Sequence, residues 1–445
     1  MTQYLAKPQR FLVRPAPGWA DITLDEVLTV LKTPTQKYKF QPEAQVEDGV
    51  IVVQECDYRQ ALELVARLTT AHDVEWVIHS GRVSSRADWP GFFQKSGVGE
   101  LWSDPAKIDC HVTADVAHAV VGTAKEIKKL ALDTWHLRIV DVADGDDSVG
   151  HPKMHRVRID SAKNRTRILV SMGGEPLYKR HYKKMLSGAI APLPEHHASA
   201  CFLWSATKMS TGLLDRIASG ETMVAVPFAG TGTTGFEACC RALSVSPSVT
   251  RANYGCEDFA FHPVATMASI RKRLIAAVKR EGAPQLVFGD NSQDVLNVFN
   301  SEAQNFTLAT GLTVHIAVEN NDFLDNPEAL FRNARGANMA GRSVFLPLNP
   351  PYGMRLSKQT GGVSIYERLG LALARLAKSL DLCGYVICPD EETWSILLKK
   401  MSNVSSHLKC QTRHFTHGGH DTRLVAFMVD RYGESGRSHR NFTLF

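Results

Sequence analysis

Residues 222–243 run from an unbroken apolar stretch, Met223-Val224-Ala225-Val226, through Pro227-Phe228-Ala229-Gly230-Thr231-Gly232-Thr233-Thr234-Gly235 into a helical pattern that begins at Phe236. A short apolar run without polar alternation reads as a strand buried on both faces, and such strands belong to parallel sheets covered by helices. The glycines fall as G-x-G-x-x-G, which lets the backbone turn sharply and approach a ligand at a helix N-terminus. Strand and helix patterns then alternate. Strands are expected at 285–288, 313–318, 344–348, 383–388 and 424–429, with helices at 295–306, 365–380 and 394–401. The second half of the chain therefore predicts an α/β fold built on an open sheet.

The strand expected at 344–348 ends in Leu348-Asn349-Pro350-Pro351-Tyr352-Gly353. Two adjacent prolines have no N–H and a fixed φ, so they hold a rigid, carbonyl-rich corner at the carboxyl end of the strand, where open α/β sheets bind ligands. There the Asn349 side-chain oxygen and the Pro350 carbonyl can accept hydrogen bonds from one exocyclic amine, and Tyr352 offers a face for stacking a base. Asn349, Pro350, Pro351 and Tyr352 are the candidate catalytic residues, and they describe a seat for an amino group on a flipped nucleobase.

A dinucleotide cofactor would require an acid about twenty residues beyond the glycines. Here residues 244–284 intervene, carrying Arg271, Lys272, Arg273 and Lys279, before the next strand delivers Asp290. An acid after the second strand suits an adenosine ribose, and Asp322 after the third can reach an adenine edge. Because Pro227 and Phe228 lead into the glycines and an amine seat accompanies them, a phosphate-free nucleoside fits best. S-adenosyl-L-methionine is the expected cofactor, with Pro227, Phe228, Gly230, Thr231, Gly232 and Thr233 forming its loop.

The first half also alternates strands and helices. Residues 11–13, 50–53 and 75–79 read as strands and two helices follow Thr23 and Asp57, the order of a small ferredoxin-like unit. A second α/β unit is expected over 108–171, with Lys153, His155, Arg156, Arg158, Lys163, Arg165 and Arg167 on its strands and turns. The loop after it interleaves Lys179, Arg180, Lys183 and Lys184 with Tyr178 and Tyr182, a pattern suited to a nucleic acid because cations neutralise phosphate and rings cover bases. Lys179, Arg180, Tyr182, Lys183 and Lys184 are the candidate nucleic-acid-binding residues. His414, His417 and His420 lie three apart, but Gly418-Gly419 breaks any helix and no cysteine or carboxylate cluster adjoins, so no metal site is expected.

Composition narrows the partners. A chain of 445 residues with 44% hydrophobic and 22% charged residues supports two or three domains, and its net charge of +5 permits an acidic partner. Nine cysteines without a C-x-x-C pair fit a reducing compartment. No apolar run approaches the roughly 20 residues of a membrane span. The expected location is cytoplasmic; Lys7, Arg10 and Arg14 before the first acid at Asp21 leave an organelle that contains ribosomes as the alternative.

These residues resemble a family. Residues 222–238 and 344–356 resemble the cofactor and target motifs of class I methyltransferases that act on exocyclic amines. The loop at 173–182, Ala191-Pro192-Leu193-Pro194-Glu195, the insertion around Tyr254-Gly255-Cys256-Glu257-Asp258-Phe259 and the form Asn-Pro-Pro-Tyr-Gly-x-Arg-Leu narrow the likeness to the THUMP-domain RNA guanine-N2 methyltransferases, most closely the bacterial-type large-subunit ribosomal RNA enzymes and then the tRNA members. The resemblance implies an N-terminal ferredoxin-like domain over 1–80, a THUMP RNA-binding domain over 81–170, a basic linker over 171–190 and a Rossmann-like methyltransferase domain over 191–445. It also implies RNA as partner, in isolation or within a pre-ribosomal particle. Three positions depart from it: Val226 stands where the family carries an Asp that contacts the methionine amino group, His181 replaces Gly, and Pro194 replaces a basic residue. The departure at 226 leaves a second reading open, a degenerate enzyme kept as an RNA-binding or ribosome-assembly factor.

Overall fold

Phe11, Leu12 and Val13 are fully buried because their strand, β1 (Gln9–Pro15), lies inside a sheet, antiparallel to β3 (Val50–Cys56) on one side and β4 (Ala71–Gly81) on the other. The computed structural model describes residues 7–32, 40–116, 122–139, 154–162, 165–183, 192–334, 339–351, 362–402 and 408–429. Its contacts divide the chain into two units, Met1–His181 with Ser246–Ala277, and Tyr182–Val245 with Val278–Phe445.

In the first unit, β2 (Glu43–Glu47) lies outside β3 and helices Ala20–Lys32 and Tyr58–Arg67 fill the connections, which makes the ferredoxin-like order β-α-β-β-α-β. The sequence pattern misses β2 because Glu43-Ala44-Gln45-Val46-Glu47 is a polar edge strand. Asp57 starts the second helix as a capping box: it accepts the Arg59 N–H at 2.7 Å, and Gln60 reaches back to the Asp57 N–H at 2.9 Å. The first helix is pinned by Glu26, a buried carboxylate that accepts the N–H and hydroxyl of both Thr69 and Thr70 at 2.6 to 3.0 Å.

The expected boundary at residue 80 falls inside a continuous sheet. Strands β5 (Asp109–Val116), β6 (Arg138–Ile139), β7 (His155–Ala162) and β8 (Arg165–Ser171) extend it through β4–β8 pairing, with Glu75 opposite Ser171, to the order β2-β3-β1-β4-β8-β7-β5-β6. Ser246–Ala277, which the sequence places in the catalytic half, packs in this unit. Arg251 donates to the carbonyls of Pro176 at 2.9 Å and Gly173 at 2.8 Å, and Phe261 meets Tyr58 edge-on at 5.3 Å. Helix Val264–Ala276 adds Met267 and Ile270 to the same core.

Among the described residues the second unit holds seven strands: β9 (Thr222–Val226), β10 (Gln285–Asp290), β11 (His315–Asn320), β12 (Ser343–Leu348), β13 (Asp381–Cys388), β14 (Leu408–His417) and β15 (His420–Val429). Their order is β11-β10-β9-β12-β13-β15-β14, parallel from β11 to β13, with β15 antiparallel to its neighbours. The strand β14 lies outside the sequence reading. Gly418 and Gly419, at φ +59° and +77°, close a two-residue hairpin that sets His417 opposite His420, and His414 shares a 2.6 Å hydrogen bond with Arg423. Among the described residues no group of three potential metal ligands occurs, and no helix is long and apolar enough to cross a membrane. Order reverses between β9 and β12, which makes the carboxyl ends of these two strands a topological switch point.

Candidate active site

The loop after β9 is shaped by contacts that tolerate no side chain. Gly232 has φ +79°, and a Cβ there would lie 2.4 Å from the Phe236 ring. A Cβ on Gly235 would lie 2.6 Å from Phe288 and 2.9 Å from a Val226 methyl, so this glycine lets helix Thr233–Ala242 close onto β9 and β10. Gly230 differs: at φ +50° its Cβ would meet nothing within 4 Å. The loop thus turns its backbone toward open space at Gly230, at the N-terminus of a helix.

Asp290 ends β10 beside this loop. Its carboxylate accepts the Ser292 N–H at 3.1 Å and the N–H groups of Gly230 and Asn291. Burial raises its pKa above the ordinary carboxylate value, and those N–H groups pull against the rise. The loop and the next strand are joined by the Ala229 N–H, which donates to the Gly289 carbonyl at 2.8 Å.

Beyond β11 come Asn321 and the expected Asp322. In Asp322 one oxygen accepts the Leu324 N–H at 2.9 Å and the other lies 3.4 Å from Arg368, which also bonds Asp325. Asn321 is the residue with an acceptor to spare. Its N–H donates to the Asp290 carbonyl at 3.1 Å and its Oδ1 is buried without a hydrogen-bond partner. The adjacent Asn321-Asp322 pair is visible in the sequence, but the competing Arg368 is not.

At the end of β12, Leu348 and Pro350 are buried and Pro351 is exposed. Asn349 Oδ1 is likewise buried with no hydrogen-bond partner. Strands β9 and β12 are hydrogen-bonded neighbours in parallel register, Val344 beside Met223 and Phe345 beside Val224, so the glycine loop and Asn349 leave the sheet at the same edge. Tyr352 lies outside the described residues.

Solved structures share this fold over nearly the whole chain. SMU.472, solved with SAH, superposes with a TM-score of 0.67 at 16% identity, covering 96% of this chain and 99% of that one. A predicted N6-adenine-specific DNA methylase from Listeria monocytogenes gives 0.69 at 15% identity over 95% and 97%, and TrmN from Thermus thermophilus 0.55 at 16% over 94% and 99%. The second unit has the class I methyltransferase fold. No family model matches the chain. Among curated relatives, the ribosomal RNA large subunit methyltransferase K/L of Shewanella amazonensis is 25% identical over 357 residues, 78% of this chain and 45% of that protein. Its counterpart in Shewanella frigidimarina is 24% identical over 395 residues, 82% and 49%. The chain thus spans about half the length of the curated relatives it matches. They are the large-subunit ribosomal RNA enzymes that the motifs resemble.

The methyltransferase fold brings the glycine loop, Asp290 and Asn349 to one edge, but it does not present the expected RNA-binding loop. Arg180 is buried and donates to the carbonyls of Leu177, at 2.5 Å, and Thr69. Tyr182 is buried with its hydroxyl on Glu237 at 2.8 Å, and the Lys183 side chain, 3% exposed, pairs with Glu195 at 3.0 Å. Basic and aromatic residues in a loop are read from sequence as a surface; here main-chain carbonyls and buried acids claim them. Lys179 is half-buried and Lys184 lies outside the described residues.

Arginines collect instead on the first unit's sheet. Leu12, Val52 and Leu169 form a small buried cluster separate from the main core, and their strands also carry Arg10, Arg14 and Arg167, with Arg158 opposite Leu169. Glu75 bridges Arg14 at 2.6 Å and Arg158 at 3.2 Å, while Asp160 pairs with Arg167. Burial, and then the charges of Arg165 and Arg167, lower the Arg10 pKa, as expected where guanidinium groups crowd together. The alternation of Arg and apolar residues along these strands is legible in the sequence; their convergence requires the β4–β8 pairing.

Proposed function

We propose that the chain transfers a methyl group from S-adenosylmethionine to the exocyclic amine of a guanine in RNA, with large-subunit ribosomal RNA as substrate. The observation that carries this reading is the Asn349 carboxamide oxygen, buried and without a partner at the carboxyl end of β12. Leaving such an acceptor unpaired costs about 1–3 kcal/mol. An amine hydrogen would satisfy it.

The residues present fit the cofactor. Gly230 opens on free space, Asp290 offers a carboxylate for the ribose hydroxyls, and Asn321 offers a free acceptor for the adenine amine, with Asp322 beside it. When bound, S-adenosylmethionine supplies an electrophilic methyl group. Asn349 and the Pro350 carbonyl accept the two hydrogens of the target amine, which draws the nitrogen lone pair out of conjugation with the base and fixes its direction. Tyr352 supplies the stacking face for a base extruded from the RNA. Alignment and stabilisation of the developing amine charge then account for most of the acceleration, without a strong base. The arginine-bearing strands of the first unit support RNA as the partner, and the choice of guanine follows the family resemblance.

The test is methyl transfer from labelled cofactor to unmodified ribosomal RNA, with the product nucleoside identified by mass spectrometry. Asn349→Ala is expected to slow transfer by about 100-fold while cofactor affinity stays within about twofold. Full transfer by this variant would sink the assignment. Val226 favours a second reading, a methyltransferase-fold RNA-binding factor, because the residue is apolar and buried where the family carries an acid. That reading requires RNA binding by a protein that does not bind the cofactor.

A further inference from the structure

A buried polar chain lies behind the glycine loop, and the mechanism above leaves it without a role. Lys183 Nζ pairs with Glu195 Oε1 at 3.0 Å, the two side chains being 3% and 7% exposed. The same ammonium donates to Thr233 Oγ1 at 2.8 Å, and Thr233 Oγ1 lies 3.1 Å from Thr231 Oγ1. Both hydroxyls are buried, on either side of Gly232 and next to Gly230, whose Cβ direction is open for 4 Å.

The Lys183 ammonium fixes the donor at one end of this chain, and between the two threonines either hydroxyl can donate. An ammonium has only donors, so Thr233 Oγ1 accepts from Lys183 and has one proton of its own to give. The hydroxyl within reach is Thr231. A proton passed that way leaves Thr231 with its own O–H free to donate beyond the loop, and a charged donor at the head of the chain polarises each bond after it. Glu195 compensates the charge of the buried ammonium. The loop therefore offers an anion a charge-assisted hydroxyl at a helix N-terminus. Val226, where the resembled family carries an acid for the ammonium group, is a buried hydrocarbon.

We propose that Lys183, backed by Glu195, is a positioning residue that turns the Thr233 and Thr231 hydroxyls so that Thr231 binds the carboxylate of the cofactor's amino-acid end. This rests on the cofactor assignment made above. It also locates recognition of that end at its carboxylate, where the resembled family uses an acid on the amino group.

The experiment is calorimetric titration of the full chain with S-adenosylmethionine and with its decarboxylated analogue, which keeps the sulfonium, nucleoside and ammonium. The wild type is expected to bind S-adenosylmethionine more tightly. Two variants are compared: Thr231→Val, which keeps the shape, and Lys183→Met combined with Glu195→Gln, which leaves no unpaired buried charge. Each should weaken S-adenosylmethionine about tenfold, the loss of one charge-assisted hydrogen bond. Affinity for the decarboxylated analogue should be unchanged. Equal losses for both ligands would reveal a merely structural role and overturn the proposal, as would no loss for either. If the double variant does not fold, Thr231→Val decides alone. A wild type that binds neither ligand overturns the cofactor assignment and this proposal together, an outcome distinct from binding without discrimination.

Discussion

Replacing Val226 by the acid that the family carries is expected to destabilise the second unit rather than repair it. Val226 is 1% exposed, paired in register with Phe288 on β10, and one of its methyl groups lies 2.9 Å from where a Gly235 Cβ would stand. Val226→Asp forfeits the burial of a Val side chain, about 1.5–3 kcal/mol. It also introduces a carboxyl against a phenyl ring and a helix backbone, at a further cost of about 1–3 kcal/mol once the group has taken up a proton. The sum, roughly 2.5–6 kcal/mol, corresponds in a unit of this size to a fall in Tm of about 5–24 °C. Circular dichroism melts measure this directly. The sign of the pH dependence is a second check. A buried Asp has a folded-state pKa above its unfolded value, so the folded protein binds more protons between the two, and stability falls as pH rises through the folded value. The variant should therefore be worse at pH 8 than at pH 5. A variant as stable as the wild type at both pH values, with tighter cofactor binding, would refute the burial argument and place this side chain in the site.

Asp290 shows the same linkage in the native protein. Its raised pKa means that its ionised form opposes folding above the unfolded value, so Asp290→Asn should raise Tm at neutral pH while abolishing cofactor binding; a lower Tm would contradict the direction of the shift. Glu26→Ala removes the acceptor of four hydrogen bonds and should cost about 3–5 kcal/mol, read by urea denaturation; a loss below 1 kcal/mol would mean that water replaces the carboxylate. On the first unit's sheet, Arg165→Ala with Arg167→Ala should lower the slope of log affinity against log salt for RNA by about 1.4–1.8, two phosphate contacts' worth. An unchanged slope would remove these strands from the RNA-binding surface.

The architecture of the second unit is legible because each of its signals is local. Strand, glycine turn and helix follow one another within residues 222–243, and the apolar run at 344–348 is terminated by its own prolines. Failures occur where a long-range partner decides the outcome. Arg180 looks like a phosphate ligand until the Thr69 carbonyl, far away in sequence, takes its guanidinium. Asp322 likewise gives no hint in the sequence of the Arg368 that reaches it from a later helix. Strands β2 and β14 are missed for a related reason: both are polar strands at the two ends of their orders, so burial writes little periodicity into them. The single eight-stranded sheet could not be anticipated from either half, since β4 and β8 carry no local mark of their pairing.

The return of Ser246–Ala277 to the first unit governs the order in which the chain can mature on the ribosome. Tyr58 and Trp76 are covered by Phe261, and the carbonyls around Gly173 wait for Arg251. Residues 1–181 emerge early yet keep an uncovered aromatic patch until β9 and helix Thr233–Ala242, elements of the other unit, have already been synthesised. Folding of the first unit is thus delayed by translation itself, an interval in which a chaperone has apolar surface to hold. An expression fragment ending at residue 181 would keep that exposed state permanently and aggregate, whereas one joining 1–181 to 246–277 by a short linker would carry its own cover.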